Sequence, residues 1–241
     1  MRCAIIWIWV LSAESSDWSE EVMDVKLEYM KPGEIEARSF EIIRQELEDR
    51  GIRPDPEKDA VIRRVIHATA DFDYVDNLVF SPGAVRSMKE AIANGAWVIT
   101  DTNMARSGIN RRILTAFGGE CRCFMGEDDV AEEAKKRGVT RAVVSMERAA
   151  ALDRDVIFAV GNAPTALVRL YEMIRNGMIS PRGIIGVPVG FVNVVEAKEL
   201  ILETGVPHIV ARGRKGGSNV AAAIVNAMLY ELDPSRGETK K

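Results

Sequence analysis

Two hydrophobic periods take turns along this chain. From Asn77 to Leu232, short runs of Val, Ile and Phe alternate with stretches whose apolar residues recur every three to four positions. "NLVF" reads as a strand. "SPGAVRSMKEAIANG" reads as a helix with Ser81 as N-cap, Pro82 at its first position and Gly95 past its end. "AWVITD" is the next strand, and the segment after Ser107 is helical as far as Gly118–Gly119. "CRCFM" is a strand, "DDVAEEAKKRG" a helix, "RAVVS" a strand and "MERAAAL" a short helix. "DVIFAVG", "GIIGV" and "HIVAR" are three further strands. Each of these leads into a long amphipathic segment, "PTALVRLYEMIRNG", "VNVVEAKELILETG" and "SNVAAAIVNAMLYEL" respectively. Upstream, "PDPEKDAVIRRVIHATAD" predicts a helix capped by Asp55 with Pro56 in its first turn.

Strand followed by helix, repeated, implies an α/β fold: a doubly wound, mostly parallel sheet with helices on both faces. Continuous Val/Ile strands are what a sheet covered on both faces requires. Residues 34–233 form one such domain. Residues 1–33 form an extension that ends in a polar linker, and residues 234–241 form a polar tail. The apolar run Ala4–Leu11 is too short to span a bilayer. It reads as a secretory-type leader, as a buried strand or as an irregular extension.

Composition narrows the partners. A net charge of −4 argues against a nucleic-acid binder, so any anionic ligand needs a local cluster of cations. Three cysteines, two of them in a Cys121-x-Cys123 pair, provide neither a disulfide framework nor a zinc spacing. Together with only two histidines, this points to a reducing, cytoplasmic setting and to no structural metal.

In open α/β sheets a ligand lies beyond the carboxyl ends of the strands. The segments leaving those ends are "TDTNMARSGIN", "GNAPTA", "GVPVGFVN" and "ARGRKGGSN". Each leads toward a helix N-terminus, where free N–H groups attract anions. In the last, Arg212, Arg214 and Lys215 stand among Gly213, Gly216 and Gly217, with Ser218 as the expected N-cap; Arg106, Arg111 and Arg112 add charge from the first. The pattern suits a carboxylate or a phosphate, and equally an ordinary turn with solvated charges. It matches no dinucleotide or P-loop fingerprint.

On the predicted helix, Val61, Ile62, Val65 and Ile66 form one apolar stripe, and His67 falls on roughly the opposite side with Arg64 one turn before it. Either this is a solvated polar face, or His67 exchanges protons in a cleft where Arg64 holds an anionic substrate. Asp71, Asp73 and Asp76 follow, as a solvated loop or as ligands for a divalent cation.

The strings "SFEIIRQEL", "RRVIHATADFD", "FSPGAV", "TDTNMARSGIN", "GNAPTAL", "GVPVGFV" and "GRKGGSNVAAAIVNA", in this order from about Ile35 to Leu232, resemble the precorrin-8X (cobalt-precorrin-8) methylmutase family of cobalamin biosynthesis. The resemblance implies a flavodoxin-like fold and an intramolecular migration of a methyl group from carbon 11 to carbon 12 of a tetrapyrrole. It implies no cofactor of the protein's own, since cobalt, where present, arrives with the substrate. It also implies a homodimer with the active site near the interface. Carried over by motif, His67 is the catalytic histidine, and Arg64 and Ser39 contact substrate. Thr102, Asn162, Thr165, Arg212, Arg214, Lys215 and Ser218 are assigned to substrate contact from their loop positions and chemistry. Arg106 and Ser107 depart from the smaller or less polar pair usual in the family. A non-catalytic corrinoid carrier and a phosphate-ligand enzyme are the alternatives.

Overall fold

The computed structural model describes residues 31–236. The apolar run at Ala4–Leu11, most of the linker and the last five residues of the tail lie outside the described residues. Three helices come first, α1 Pro32–Asp49, α2 Pro56–Thr69 and α3 Tyr74–Asn77, followed by strand β1 Leu78–Phe80. Next are α4 Ala84–Ala93, β2 Trp97–Thr100, α5 Asn103–Gly108, α6 Arg111–Ala116 and β3 Cys121–Arg122. Then α7 Asp128–Arg137, α8 Arg141–Ala150, β4 Val156–Val160, α9 Pro164–Arg175 and β5 Gly183–Gly186. The last are α10 Val194–Leu202, β6 His208–Ala211, α11 Ser218–Leu232 and a 3₁₀ turn at Pro234–Arg236.

The six strands form one sheet in the order β1-β6-β5-β4-β2-β3. Five are parallel, and in chain order they follow the 2-1-3-4-5 arrangement of doubly wound folds. That order is compatible with the flavodoxin-like expectation. Strand β1 is added antiparallel to β6, with Leu78 opposite Ala211.

Side chains on β4 alternate between two cores. Ile157 and Ala159 face α2, α4 and α11, whereas Val156, Phe158 and Val160 face α7, α8, α9 and α10. Helix α11, buried over most of its length, is the centre of the first layer, with α2 packed along it and α1 outside α2.

Four local expectations are corrected. "RAVVS" is not a strand but the first half of α8. Its buried residues Ala142, Ser145, Met146 and Ala149 keep helical spacing, and the Thr140 hydroxyl caps it by accepting from the Val143 N–H. Packing of that stripe outweighs the β preference of two valines. Helix α4 begins at Ala84 after Gly83, not at Pro82, because Ser81 prolongs the pairing with β6. Its hydroxyl accepts from the His208 N–H at 2.9 Å, and its own N–H donates to the His208 carbonyl. The helical stretch before Gly118 is two helices, broken where Asn110 caps the second. "CRCFM" contributes only Cys121 and Arg122 to the sheet.

Candidate active site

The antiparallel strand β1 brings the histidine to the ligand edge. Because β1 starts beside the carboxyl end of β6, the chain that feeds it, α2 then α3, arrives there too, and the Arg212 N–H donates to the Asn77 carbonyl at 2.8 Å. Helix α2 ends at Ala70, a non-glycine residue in the left-handed region (φ 53°). Its stripe Val61, Ile62, Val65 and Ile66 is buried and His67, in the last turn, is exposed, as the pattern predicted.

The imidazole does not stand in plain solvent. It stacks on Phe40 of α1, centroids 5.1 Å apart and planes 14° apart. The Arg64 guanidinium lies over the same Phe40 ring at 4.5 Å and over Tyr230 of α11 at 4.8 Å, and it pairs with Glu36. Three helices thus converge on one cationic and aromatic face. Ser39, next to Phe40, turns its hydroxyl back to the Ile35 carbonyl of its own helix at 2.9 Å.

A second constellation lies at the switch point between β2 and β4, where strand order reverses. Asp101, at the end of β2, is fully buried, and its carboxylate accepts from the N–H groups of Gly161, Asn162 and Ala163 at 2.9, 2.8 and 2.6 Å. Burial pushes its carboxyl above the usual range, against the pull of those three donors. Gly161 has no room for a side chain, since a Cβ would meet the Gly217 carbonyl oxygen and the Ser218 Cα at 2.8 Å each. Thr102 caps α5 and meets the Ser218 hydroxyl at 2.7 Å. Ser218 is therefore not the N-cap of α11; Gly217 occupies that position, and its N–H donates to the Val187 carbonyl at 2.9 Å.

The cationic loop is held from every side. Arg212 pairs with Glu199 of α10, 3.3 Å between Nε and Oε1. The Arg214 carbonyl accepts from the Gly190 N–H, and its guanidinium lies 5.4 Å from the centroid of Phe191. Lys215 donates to both Asp71 and Asp73 at 2.6 Å. These hydrogen bonds raise the lysine above its ordinary range and hold the Asp71 carboxyl below its own. So two of the three carboxylates considered as cation ligands already share one ammonium as their hydrogen-bond partner. Among the described residues, Arg212 and Lys215 have carboxylate partners and Arg214 has none.

The predicted site residues thus fall into two groups with one outlier. Ser39, Arg64 and His67 share the α1–α2 face. Thr102, Ser218, Asn162, Arg212, Arg214 and Lys215 lie on the loops at the strand ends, with Lys215 tying that group to the end of α2 four residues past His67. Thr165 bonds instead to Thr140 at 2.9 Å, between α8 and α9. Asp101, Phe40 and Lys198 were missed. Lys198 had a readable signal: it continues the apolar stripe Val194, Ala197, Ile201 of α10 at helical spacing and is fully buried with them.

A sequence model of the precorrin-8X methylmutase family matches residues 34–231. The chain belongs to the precorrin-8X methylmutase family. It is 48% identical over 208 residues to the cobalt-precorrin-8 methylmutase of Salmonella typhimurium, covering 84% of this chain and 96% of that protein. It is 42% identical over 210 residues to the precorrin-8X methylmutase of Pseudomonas aeruginosa, covering 86% and 100%. The crystal structure of precorrin-8X methylmutase from Thermus thermophilus superposes with a TM-score of 0.73 at 40% identity, covering 81% of this chain and 95% of that one. Methylmutases are isomerases, so the family needs a site that holds one molecule still while a group moves within it.

Proposed function

We propose that this chain moves the methyl group on carbon 11 of precorrin-8, or of its cobalt-loaded counterpart, to carbon 12, giving hydrogenobyrinate or cobyrinate, with His67 as the acid. The bond to carbon 11 breaks as the bond to carbon 12 forms. A proton lent to the ring system is returned, so no donor is consumed. The observation that carries this is the exposed His67 ring stacked on Phe40 and flanked by Arg64, in a chain matched to the family over 34–231. The stack fixes the ring plane while leaving its nitrogens open to a ligand, as general acid catalysis requires. Ser39 and Arg64 contact substrate beside it. Arg214, with Arg212 and Lys215 as its framed neighbours, receives a substrate carboxylate, and Thr102, Asn162 and Ser218 supply neutral donors, whereas Thr165, bonded to Thr140, stays outside this group.

The enzyme works in the cytoplasm as a homodimer. Phe191 and Val192 are 81% and 77% exposed beside the loop cluster, and Ile35 and Ile42 are exposed on α1. A second copy laid over these apolar groups would turn the open face around His67 into a cleft. Analytical ultracentrifugation tests this: a monomer at micromolar concentration would remove the dimer.

Turnover is tested with metal-free and cobalt-loaded substrate in parallel, followed by absorption. Catalytic excess conversion is expected. A spectral change that stops at one equivalent would identify a corrinoid carrier and sink the enzyme reading.

A further inference from the structure

Lys198 is a fully buried ionisable group that the mechanism leaves unused. It lies on α10 with no solvent exposure. Its Nζ donates to the carbonyls of Gly213 and Lys215, each at 2.8 Å. No carboxylate pairs with it among the described residues, and desolvation lowers it to about 8. A cation so placed opposes folding unless its hydrogen bonds compensate, so its presence needs a reason beyond packing.

The two carbonyls it grips flank Arg214, the loop cation without a carboxylate partner. From the same helix Glu199 holds Arg212, and Gly190, just before α10, donates to the Arg214 carbonyl. Resting on the reading that this loop receives a substrate carboxylate, we infer that Lys198 is a positioning residue: it shapes the 212–217 backbone so that Arg214 is presented to the anionic substrate. The ammonium acts on the loop from inside the fold and never touches the ligand.

The test is a double-mutant cycle on the full chain with precorrin-8 as probe. Lys198→Met keeps the length and apolar stem but removes charge and donors. It is expected to raise KM about tenfold while kcat stays within about threefold, the loss of one charge-assisted contact. Arg214→Met should do the same, and the double variant should be no worse than Arg214→Met alone, because Lys198 acts through Arg214. Additive losses, a fall in kcat at constant KM, or an unchanged KM would each overturn the assignment.

Hydrogen exchange provides a readout independent of turnover. In Lys198→Met the Gly190 and Gly217 amides should lose protection while the Gly161 amide, bound to Asp101, keeps its own. Should Lys198→Met not fold, the wild type decides: fast exchange at Gly190 and Gly217 there would refute a shaped loop. Because exchange needs no substrate, failure of the methyl-transfer reading, seen as a spectral change that stops at one equivalent, stays distinguishable from failure of this one.

Discussion

The two cationic regions of this molecule are built on opposite principles. On the α1–α2 face, Arg64 and His67 are held by side chains from other helices: Phe40, Tyr230 and Glu36. In the 212–218 loop, Arg214 is held by backbone: glycines that admit close approach, carbonyls gripped by Lys198, and amides returned to Val187 and Arg214. Side-chain scaffolds leave the functional group free to be changed without cost to the fold. Backbone scaffolds do not, because what positions the group also closes the core. The first region should therefore separate activity from stability, and the second should join them.

The largest expected effect is on the first region. His67→Ala should lower kcat about 10² to 10⁴-fold, the usual worth of a placed acid–base group, with a melting temperature within about 2 °C of wild type, since an exposed side chain is removed. Steady-state kinetics and calorimetry on the same preparation check both halves. A comparable loss of stability would erase the contrast.

Gly216→Ala should do the reverse. A Cβ there would overlap the Val187 carbonyl oxygen and crowd that of Pro188. The backbone must move, and denaturant titration should show a loss of about 3 kcal/mol or more, with activity falling alongside it.

Phe40→Leu sharpens the contrast on the first region. Loss of the stack should cost about threefold to tenfold in kcat, the range of an aromatic or cation–π contact, and Phe40→Tyr should restore it. With only two histidines in the chain, the imidazole proton resonances are easily separated, and loss of the ring-current displacement of His67 reports the stack directly.

The smallest effect is in the tether between the regions. Lys215 holds the Asp71 carboxyl below its usual 3.8. A carboxyl lowered in the folded state stabilises above its unfolded value, and the contribution is lost as pH falls through the folded one. Melts taken from pH 5 to pH 3 should therefore fall slightly more steeply in wild type than in Lys215→Met. Equal slopes would mean that the tether carries no free energy.

The α/β class, the burial of Val61, Ile62, Val65 and Ile66 and the exposure of His67 were legible because each follows from periodicity within one element. "RAVVS" misled for the same reason, since five residues in α8 satisfy both periods and only the surface they pack against decides. Ser81 looked like a cap until β6 proved to be its partner.

The sequence alone determined what each element buries, which residues carry charge, and, through the order of its motifs, the family. Hydrophobic spacing and residue chemistry act over a few positions and can be read in one dimension. Only the tertiary structure decided that β1 runs antiparallel at the sheet edge and so delivers α2 to the ligand side. It alone placed Phe40 against His67 and spent Lys215 on Asp71 and Asp73, leaving Arg214 as the loop cation without a carboxylate partner among the described residues. Those outcomes depend on contacts between residues up to 144 positions apart, and long-range pairing is set by how the layers close, not by any local pattern.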